Sequence, residues 1–121
     1  MATMAYVTKQ LNKWGEGRDG DWGNYIARRY HWEIEATAQD GICLHLRARR
    51  ITDEDKPNED YCAGEWFDTV KAAITFATAM INADVKQVQE FIETGETRGV
   101  PAEFLMRKAA FLQSCGAYSA A

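Results

Sequence analysis

The residues with the clearest chemical potential are Cys43 and His45, which lie two positions apart in a stretch of alternating apolar and polar residues. Residues two apart in a β-strand point to the same face of the sheet. The preceding stretch has the same alternation and would place Glu35 opposite His45. A thiol, an imidazole and a carboxylate are the groups of a nucleophilic Cys–His–acid site. They are also three possible metal ligands.

The surrounding sequence favours neither chemistry. An exposed sheet face offers no helix N-terminus to stabilise a thiolate and no oxyanion hole. Arg47 and Arg49 favour the ionised form of Glu33 and Glu35, whereas a general acid must carry a proton. The other possible metal donors are His31, Cys62 and Cys115. They form no C-x-x-C, H-x-x-x-H or H-E-x-x-H spacing. We therefore predict a protein that is not an enzyme and holds neither a metal nor a cofactor.

The strongest concentration of charge lies in residues 53–68. Its acidic residues are Asp53, Glu54, Asp55, Glu59, Asp60, Glu65 and Asp68. Lys56 is the one basic residue there, so the segment carries a net charge of -6. A solvated loop is the simplest interpretation. The functional alternative is a docking patch for a basic protein surface, which would relieve the repulsion among like charges. The partner contacts would be Asp53, Glu54, Asp55, Glu59 and Asp60.

Residues 15–23 contain four glycines and are predicted to form neither a helix nor a regular strand. A surface connection is one interpretation. The other is a second binding loop, with Trp22 as its anchor beside Asp19 and Asp21, because tryptophan is enriched at binding hot spots.

A basic stretch covers residues 24–50, where five arginines against three acidic residues give a net charge of +2. These arginines are Arg28, Arg29, Arg47, Arg49 and Arg50. With nearby aromatic residues they would form a single-stranded nucleic-acid surface. The whole chain carries -4, which does not favour a phosphate backbone.

Alternation predicts strands over residues 30–36 and 42–48, and a start of the first strand at Asn24 is the alternative. A two-residue turn would pair Ile34 with Arg47, an inner residue with an outer one. A three-residue turn, residues 39–41, pairs Ile34 with Leu46 and Glu35 with His45, so we predict that turn with Gly41 at positive φ. Residues 61–67 are predicted to form a third strand.

Helical spacing appears at both ends of the chain. Met4, Val7, Leu11 and Trp14 predict a short helix that stops at Gly15, although the β-propensity of residues 6–8 leaves a strand as the alternative. Apolar residues from Val70 to Ile92 predict one long helix over residues 69–94, capped by Asp68 and ended by Gly95. A break near residues 82–84 is the alternative. A last helix would begin at Pro101 and end at Gly116.

We therefore predict an α+β fold: a three-stranded antiparallel meander packed against a long helix and a C-terminal helix, with a short N-terminal helix. Residues 1–121 would form a single domain, with helix and glycine-rich loop in 1–23, meander in 24–67 and helices in 68–116. The predicted core residues are Trp32, Ile34, Leu44, Leu46, Trp66, Ile74, Ile81, Ile92, Phe104 and Phe111.

Composition completes the prediction. The chain of 121 residues has three cysteines in no paired spacing, which is typical of a reducing compartment. It shows neither a transmembrane run nor a signal peptide, so we expect a cytoplasmic protein without a membrane partner.

The leading functional hypothesis is a small binding or inhibitor protein that docks its acidic patch on a basic, nucleic-acid-handling partner. Phage and mobile-element accessory proteins, including anti-CRISPR proteins, are often compact acidic domains of this kind. One alternative is a nucleic-acid-binding module that uses the arginine hairpin. Another is a homodimer or larger structural oligomer formed through the long helix.

Overall fold

The computed structural model describes residues 3–19, 23–38, 41–48 and 65–119. In chain order the elements are α1 (Met4–Trp14), β1 (Glu16–Asp19), β2 (Asn24–Arg29), β3 (Trp32–Ala38), β4 (Ile42–Ala48), β5 (Glu65–Phe67), α2 (Val70–Thr94) and α3 (Ala102–Ser114). The strands form one antiparallel sheet in the order β1-β2-β3-β4-β5. The predicted α+β class is confirmed, but the sheet has five strands rather than three.

Helix α1 forms where the spacing predicted it. The Thr3 hydroxyl accepts a hydrogen bond from the Tyr6 N–H at 3.2 Å and so caps the first turn. Val7, Leu11 and Trp14 are buried on one face. The Gly15 N–H closes the last turn on the Leu11 carbonyl at 3.0 Å, so the helix, not the alternative strand, is correct.

Strand β1 lies in the glycine-rich segment that was predicted to contain no regular strand, and that prediction is wrong. Glycine is tolerated here because the backbone of Gly17 lies under the side chains of Tyr25 and Asn12, where an added Cβ would collide with both. Pairing with β2, which sets Gly17 opposite Ala27, supplies the stabilisation that local propensity lacks.

The stretch 24–38 folds into two strands rather than one. Arg29 pairs with Trp32, which leaves Tyr30 and His31 as a two-residue turn. Tyr30 adopts φ = 57°, a conformation that residues other than glycine rarely take. The turn places His31 in the interior, at 8% exposure, whereas the predicted strand over residues 30–36 would put it on the same face as Glu33 and Glu35.

The register of the β3–β4 hairpin is confirmed. Ile34 pairs with Leu46 and Glu35 with His45. The pairing of Ala38 with Ile42 leaves the predicted three-residue turn, of which Gly41 has φ = 133° and residues 39–40 lie outside the described ranges. Of the predicted third strand, residues 65–67 pair with β4 as β5, and residues 61–64 lie outside the described ranges.

Helix α2 runs without interruption from Val70 to Thr94, so the predicted continuous helix is confirmed. Its cap is Thr69 rather than Asp68, because Thr69 has the extended backbone that lets its hydroxyl accept the Ala72 N–H at 3.2 Å. Gly95 ends the helix in the left-handed conformation, with φ = 76°. Helix α3 begins one residue after Pro101, which is its N-cap, and ends at Ser114 before Gly116.

The main core lies between one face of the sheet and helices α1 and α2. Trp32, Ile34, Leu44, Leu46 and Ile81 are buried as predicted, and Ile74 packs against them half-buried. A second cluster joins α2 and α3 around Val88, Ala109 and Leu112, with Phe111 half-buried beside it and Phe104 also half-buried.

Two predicted core residues are exposed instead: Trp66 at 67% and Ile92 at 47%. Trp66 precedes Phe67, and adjacent residues of a strand face opposite sides, so only one of the two rings can enter the core. Phe67 pairs with the buried Leu44 and packs against the core. Ile92 lies in the last turn of α2, at the edge of the helix pair.

Candidate functional site

The outer face of the sheet, opposite the helices, carries a ladder of charged residues. Glu33 accepts hydrogen bonds from Arg28 and from Arg18, the latter at 3.0 Å. Glu35 forms an ion pair with Arg47 and accepts a hydrogen bond from the Asn24 amide at 3.1 Å. The carboxylates that sequence reasoning placed among the arginines are thus their direct partners.

This pairing bears on the predicted nucleic-acid surface. Arg28 and Arg47 are on the outer face but are bound to glutamates. Arg29 belongs to the other face, because it pairs with the buried Trp32. Arg49 and Arg50 lie outside the described ranges. The described arginines of this set are therefore divided between two faces of the sheet.

On the outer face of the sheet, where β5 pairs with β4, Trp66 stacks on His45. Their ring centroids are 4.6 Å apart and their planes differ by 14°. Partial burial and the charge of Arg47 lower the pKa of His45 against the opposing effect of Glu35, so the imidazole is neutral at pH 7. One face of the indole rests on an uncharged ring, and two thirds of the side chain remains open to solvent.

Two exposed acidic residues adjoin the Trp66–Phe67 pair in the chain, Glu65 before it and Asp68 after it. Glu65 pairs with the buried Leu46, so it belongs to the opposite side of β5 from Trp66. Strand β5 is also the last strand in the sheet order. We call Glu65, Trp66 and Asp68 the β5 edge. It combines an aromatic face with negative charge, an arrangement suited to an arginine or lysine side chain.

The predicted partner loops fall largely outside the described ranges. Asp53, Glu54, Asp55, Glu59 and Asp60 lie in 49–64, and Asp21 and Trp22 lie in 20–22, which are not described. Asp19 ends β1, where its backbone pairs with Tyr25. The acidic segment nevertheless leads directly into the β5 edge, since Trp66 follows Asp60 by only six residues.

Of the candidate nucleophile and metal ligands, Cys43 and His45 lie on β4 with Glu35 opposite His45, as predicted. His31 is buried in the β2–β3 turn instead, and Cys62 lies outside the described ranges. Cys43 is an exposed free thiol on strand β4, and it pairs with Thr37 rather than with an acidic residue. In the described part of the chain, no three His, Cys, Asp or Glu side chains converge as a metal site would require.

Sequence reasoning missed a buried polar cluster that joins three elements. The Asp84 carboxylate of α2 lies 2.8 Å from the His31 Nε2 atom of the β2–β3 turn and 2.8 Å from the Lys108 Nζ atom of α3. Lys108 also donates to the Gln87 amide oxygen at 2.6 Å. Since a carboxylate only accepts, His31 Nε2 carries the hydrogen. The His31 ring packs edge-on against Phe111, with centroids 5.7 Å apart.

Asp84 is charged in this cluster. Burial would raise the pKa of its carboxyl, but the hydrogen bonds from His31 and Lys108 outweigh burial, and the pKa lies below the usual value. A sequence signal for the cluster exists: Asp84 lies between Ile81 and Val88 at spacings of three and four, on the apolar stripe itself. A charge on a buried stripe requires a partner.

No protein-family model, curated protein or solved structure matches this chain. Within the described ranges, no helix combines the length and the apolar content needed to cross a membrane.

Proposed function

We propose that this is a non-catalytic binding protein whose partner is a basic protein surface, and that the β5 edge together with the acidic loop 53–60 forms the contact. The observation that carries this proposal is the exposure of Trp66. This tryptophan side chain is 67% exposed and is held by stacking on His45, so it leaves apolar surface in water, which is typical of a binding interface.

The chemistry of the β5 edge supports a cationic partner. The free face of the indole attracts a guanidinium or ammonium group. Glu65, Asp68 and the loop carboxylates add electrostatic attraction, which steers a cationic surface toward the edge and increases the association rate. If that basic surface is the phosphate-binding surface of a nucleic-acid-handling enzyme, docking would inhibit it by occupying the site of the nucleic acid.

A defined cationic probe tests the proposal. Binding of a fluorescein-labelled nona-arginine peptide is measured by anisotropy, with a nona-glutamate peptide as the charge control. We expect Trp66→Ala to weaken binding about tenfold, as loss of a desolvated cation–π contact implies. Tyr6→Ala is the matched control, because Tyr6 is 52% exposed on α1 and should leave affinity unchanged.

The acidic loop has a separate test. Combined reversal to lysine of Asp53, Asp55, Glu59 and Asp60 should abolish binding at low salt. Equal affinity of the wild-type protein, the Trp66→Ala variant and the reversed variant would overturn the proposal. Affinity capture from the native host, with the Trp66→Ala variant as the reference bait, would then identify the partner.

A homodimer is a second candidate, favoured by apolar side chains that the helix pair leaves in solvent. Ile92 of α2 is 47% exposed and Met106 of α3 is 63% exposed. Light scattering at high protein concentration should then report a dimeric mass that Ile92→Glu reduces to the monomer. A monomeric mass for the wild-type protein would exclude this candidate.

A further inference from the structure

A cleft of about 520 Å³ opens on the helical side of the sheet, away from the outer face. Arg29 at the end of β2 and Tyr30 of the β2–β3 turn line one side, and α2 contributes Asn82, Val85, Lys86 and Gln89 among others. The chain after α3 closes one side. A volume of this size is typical of a site for a single small molecule.

The lining of the cleft is cationic. It includes Arg29 and Lys86 and no acidic residue. Five other cations of the described structure, Arg18, Arg28, Arg47, Arg98 and Lys108, each form an ion pair with a carboxylate. Arg29 and Lys86 form no such pair with a described carboxylate, and the Arg29 guanidinium lies 5.7 Å from the Tyr30 ring centroid. Glu90, one turn along α2 from Lys86, is bound by Arg98, and its pKa is lowered by Arg98 and also by the Lys86 charge. Two cations without a direct ion pair beside one cavity favour an anionic ligand.

The backbone at Tyr30 supports the same interpretation. A bulky residue at φ = 57° is unfavourable where glycine would be relaxed. Such conformations persist where the surrounding structure holds them, and they cluster at ligand-binding sites. Here the turn is held by its next residue, His31, through the buried contact with Asp84. The consequence is that an aromatic ring forms one wall of the cleft.

We infer that the cleft binds a small organic anion with an aromatic body. Arg29 and Lys86 would hold the anionic group, the Asn82 and Gln89 amides would supply neutral hydrogen bonds, and the body would contact Tyr30, Ile81 and Val85. Inorganic phosphate would leave the apolar wall unused. The site is independent of the β5 edge, because none of its lining residues belongs to β4 or β5.

The test uses phenyl phosphate as the probe in a nuclear magnetic resonance titration of the full chain. We expect saturable shifts of the amides of Tyr30, Asn82, Lys86 and Gln89. Phenol, which lacks the charge, and inorganic phosphate, which lacks the ring, should each bind at least about tenfold more weakly, since each loses one half of the recognition.

Variants separate the contributions of charge and ring. Arg29→Gln and Lys86→Gln should each weaken binding of phenyl phosphate about tenfold, the usual effect of losing one charge-assisted hydrogen bond. Lys71→Gln, at an exposed lysine of the same helix outside the cleft, should have no effect. Tyr30→Gly suits the backbone conformation and keeps both cations, so it should weaken phenyl phosphate but not inorganic phosphate.

Three results would overturn the inference: no saturable shift with phenyl phosphate, equal losses in the Lys71→Gln and Lys86→Gln variants, or shifts outside the cleft only. Trp66→Ala should leave the affinity for phenyl phosphate unchanged, so failure of the proposed partner surface and failure of this site are distinguishable.

Discussion

The imidazole of His31 and the carboxylate of Asp84 meet at 2.8 Å, although 53 residues separate them in the chain. His31 lies in the turn between two strands and Asp84 in the middle of α2, so this contact fastens the sheet to the long helix. Lys108 binds the second oxygen of the same carboxylate, which fastens α3 to that point as well. Three elements therefore depend on one charged side chain.

Removing the charge of Asp84 should destabilise the fold. Asp84→Asn keeps the shape of the side chain but leaves Lys108 without its counter-ion in a largely buried position. We expect a loss of about 2–3 kcal/mol in the free energy of unfolding, somewhat less than for a fully buried pair. Urea denaturation measures it. Glu93→Gln, at an exposed position of the same helix, is the control and should change little; equal midpoints would contradict the role of Asp84.

The same carboxyl should make stability depend on acid pH. Its pKa is lowered in the folded protein, so below about pH 4, near the usual pKa of aspartate, the unfolded chain binds the proton first. The contribution of Asp84 is therefore complete above that pH and is lost as the pH falls through the folded pKa. Unfolding free energies measured from pH 2 to 7 should show the gap between wild type and Asp84→Asn closing at the acid end. A gap that stays constant would refute the linkage.

Arg47 should control the titration of His45. Partial burial is the larger cause of the lowered pKa of His45, and the charge of Arg47 is the smaller one. Arg47→Gln removes that charge and frees Glu35, so the midpoint of the His45 ring should move upward in a proton resonance titration. Arg18→Gln removes a charge from the other end of the same face and should leave the midpoint in place.

Substitution of Gly15 and of Gly95 by alanine should lower the free energy of unfolding by different amounts, for distinct physical reasons. An added Cβ at Gly15 would collide with the backbone carbonyl of Arg28, whose carbon would lie 2.9 Å away. Gly15→Ala should therefore cost about 2–3 kcal/mol, because backbone must move. Gly95→Ala meets no atom within 4 Å but imposes a left-handed conformation on alanine, at about 1 kcal/mol. Thermal unfolding of both variants compares them, and a larger loss at Gly95 would contradict the close packing at Gly15.

Two tryptophans test the corrected core. Trp32 is 8% exposed and Trp66 is 67% exposed. Trp32→Ala should reduce the free energy of unfolding by about 3–5 kcal/mol through lost burial and a residual cavity. Trp66→Ala should cost less than about 1 kcal/mol, as is usual for a surface substitution. Chemical denaturation measures the free energy of unfolding of both variants, and similar losses for the two would place both rings in the core.

The sequence by itself determined the elements whose signals are local. The spacing of Val7, Leu11 and Trp14 identified α1, and the unbroken stripe from Val70 to Ile92 identified α2, because side chains on one helical face recur every three or four residues. The β3–β4 register followed from parity, since Ile34 and Leu46 must share a face.

Tertiary structure alone decided the features that depend on distant partners. The turn at Tyr30 and His31 contains no glycine or asparagine, the residues from which a tight turn is usually predicted. The contact of His31 with Asp84 holds this turn in place. Strand β1 forms because its backbone pairs with that of β2. The glycine-rich sequence of β1 would not form a strand without that pairing. Arg28 faces the ion-paired outer side and Arg29 the cleft because β2 pairs Arg28 with Glu33 and Arg29 with Trp32, and long-range packing rather than local conformational preference sets that pairing.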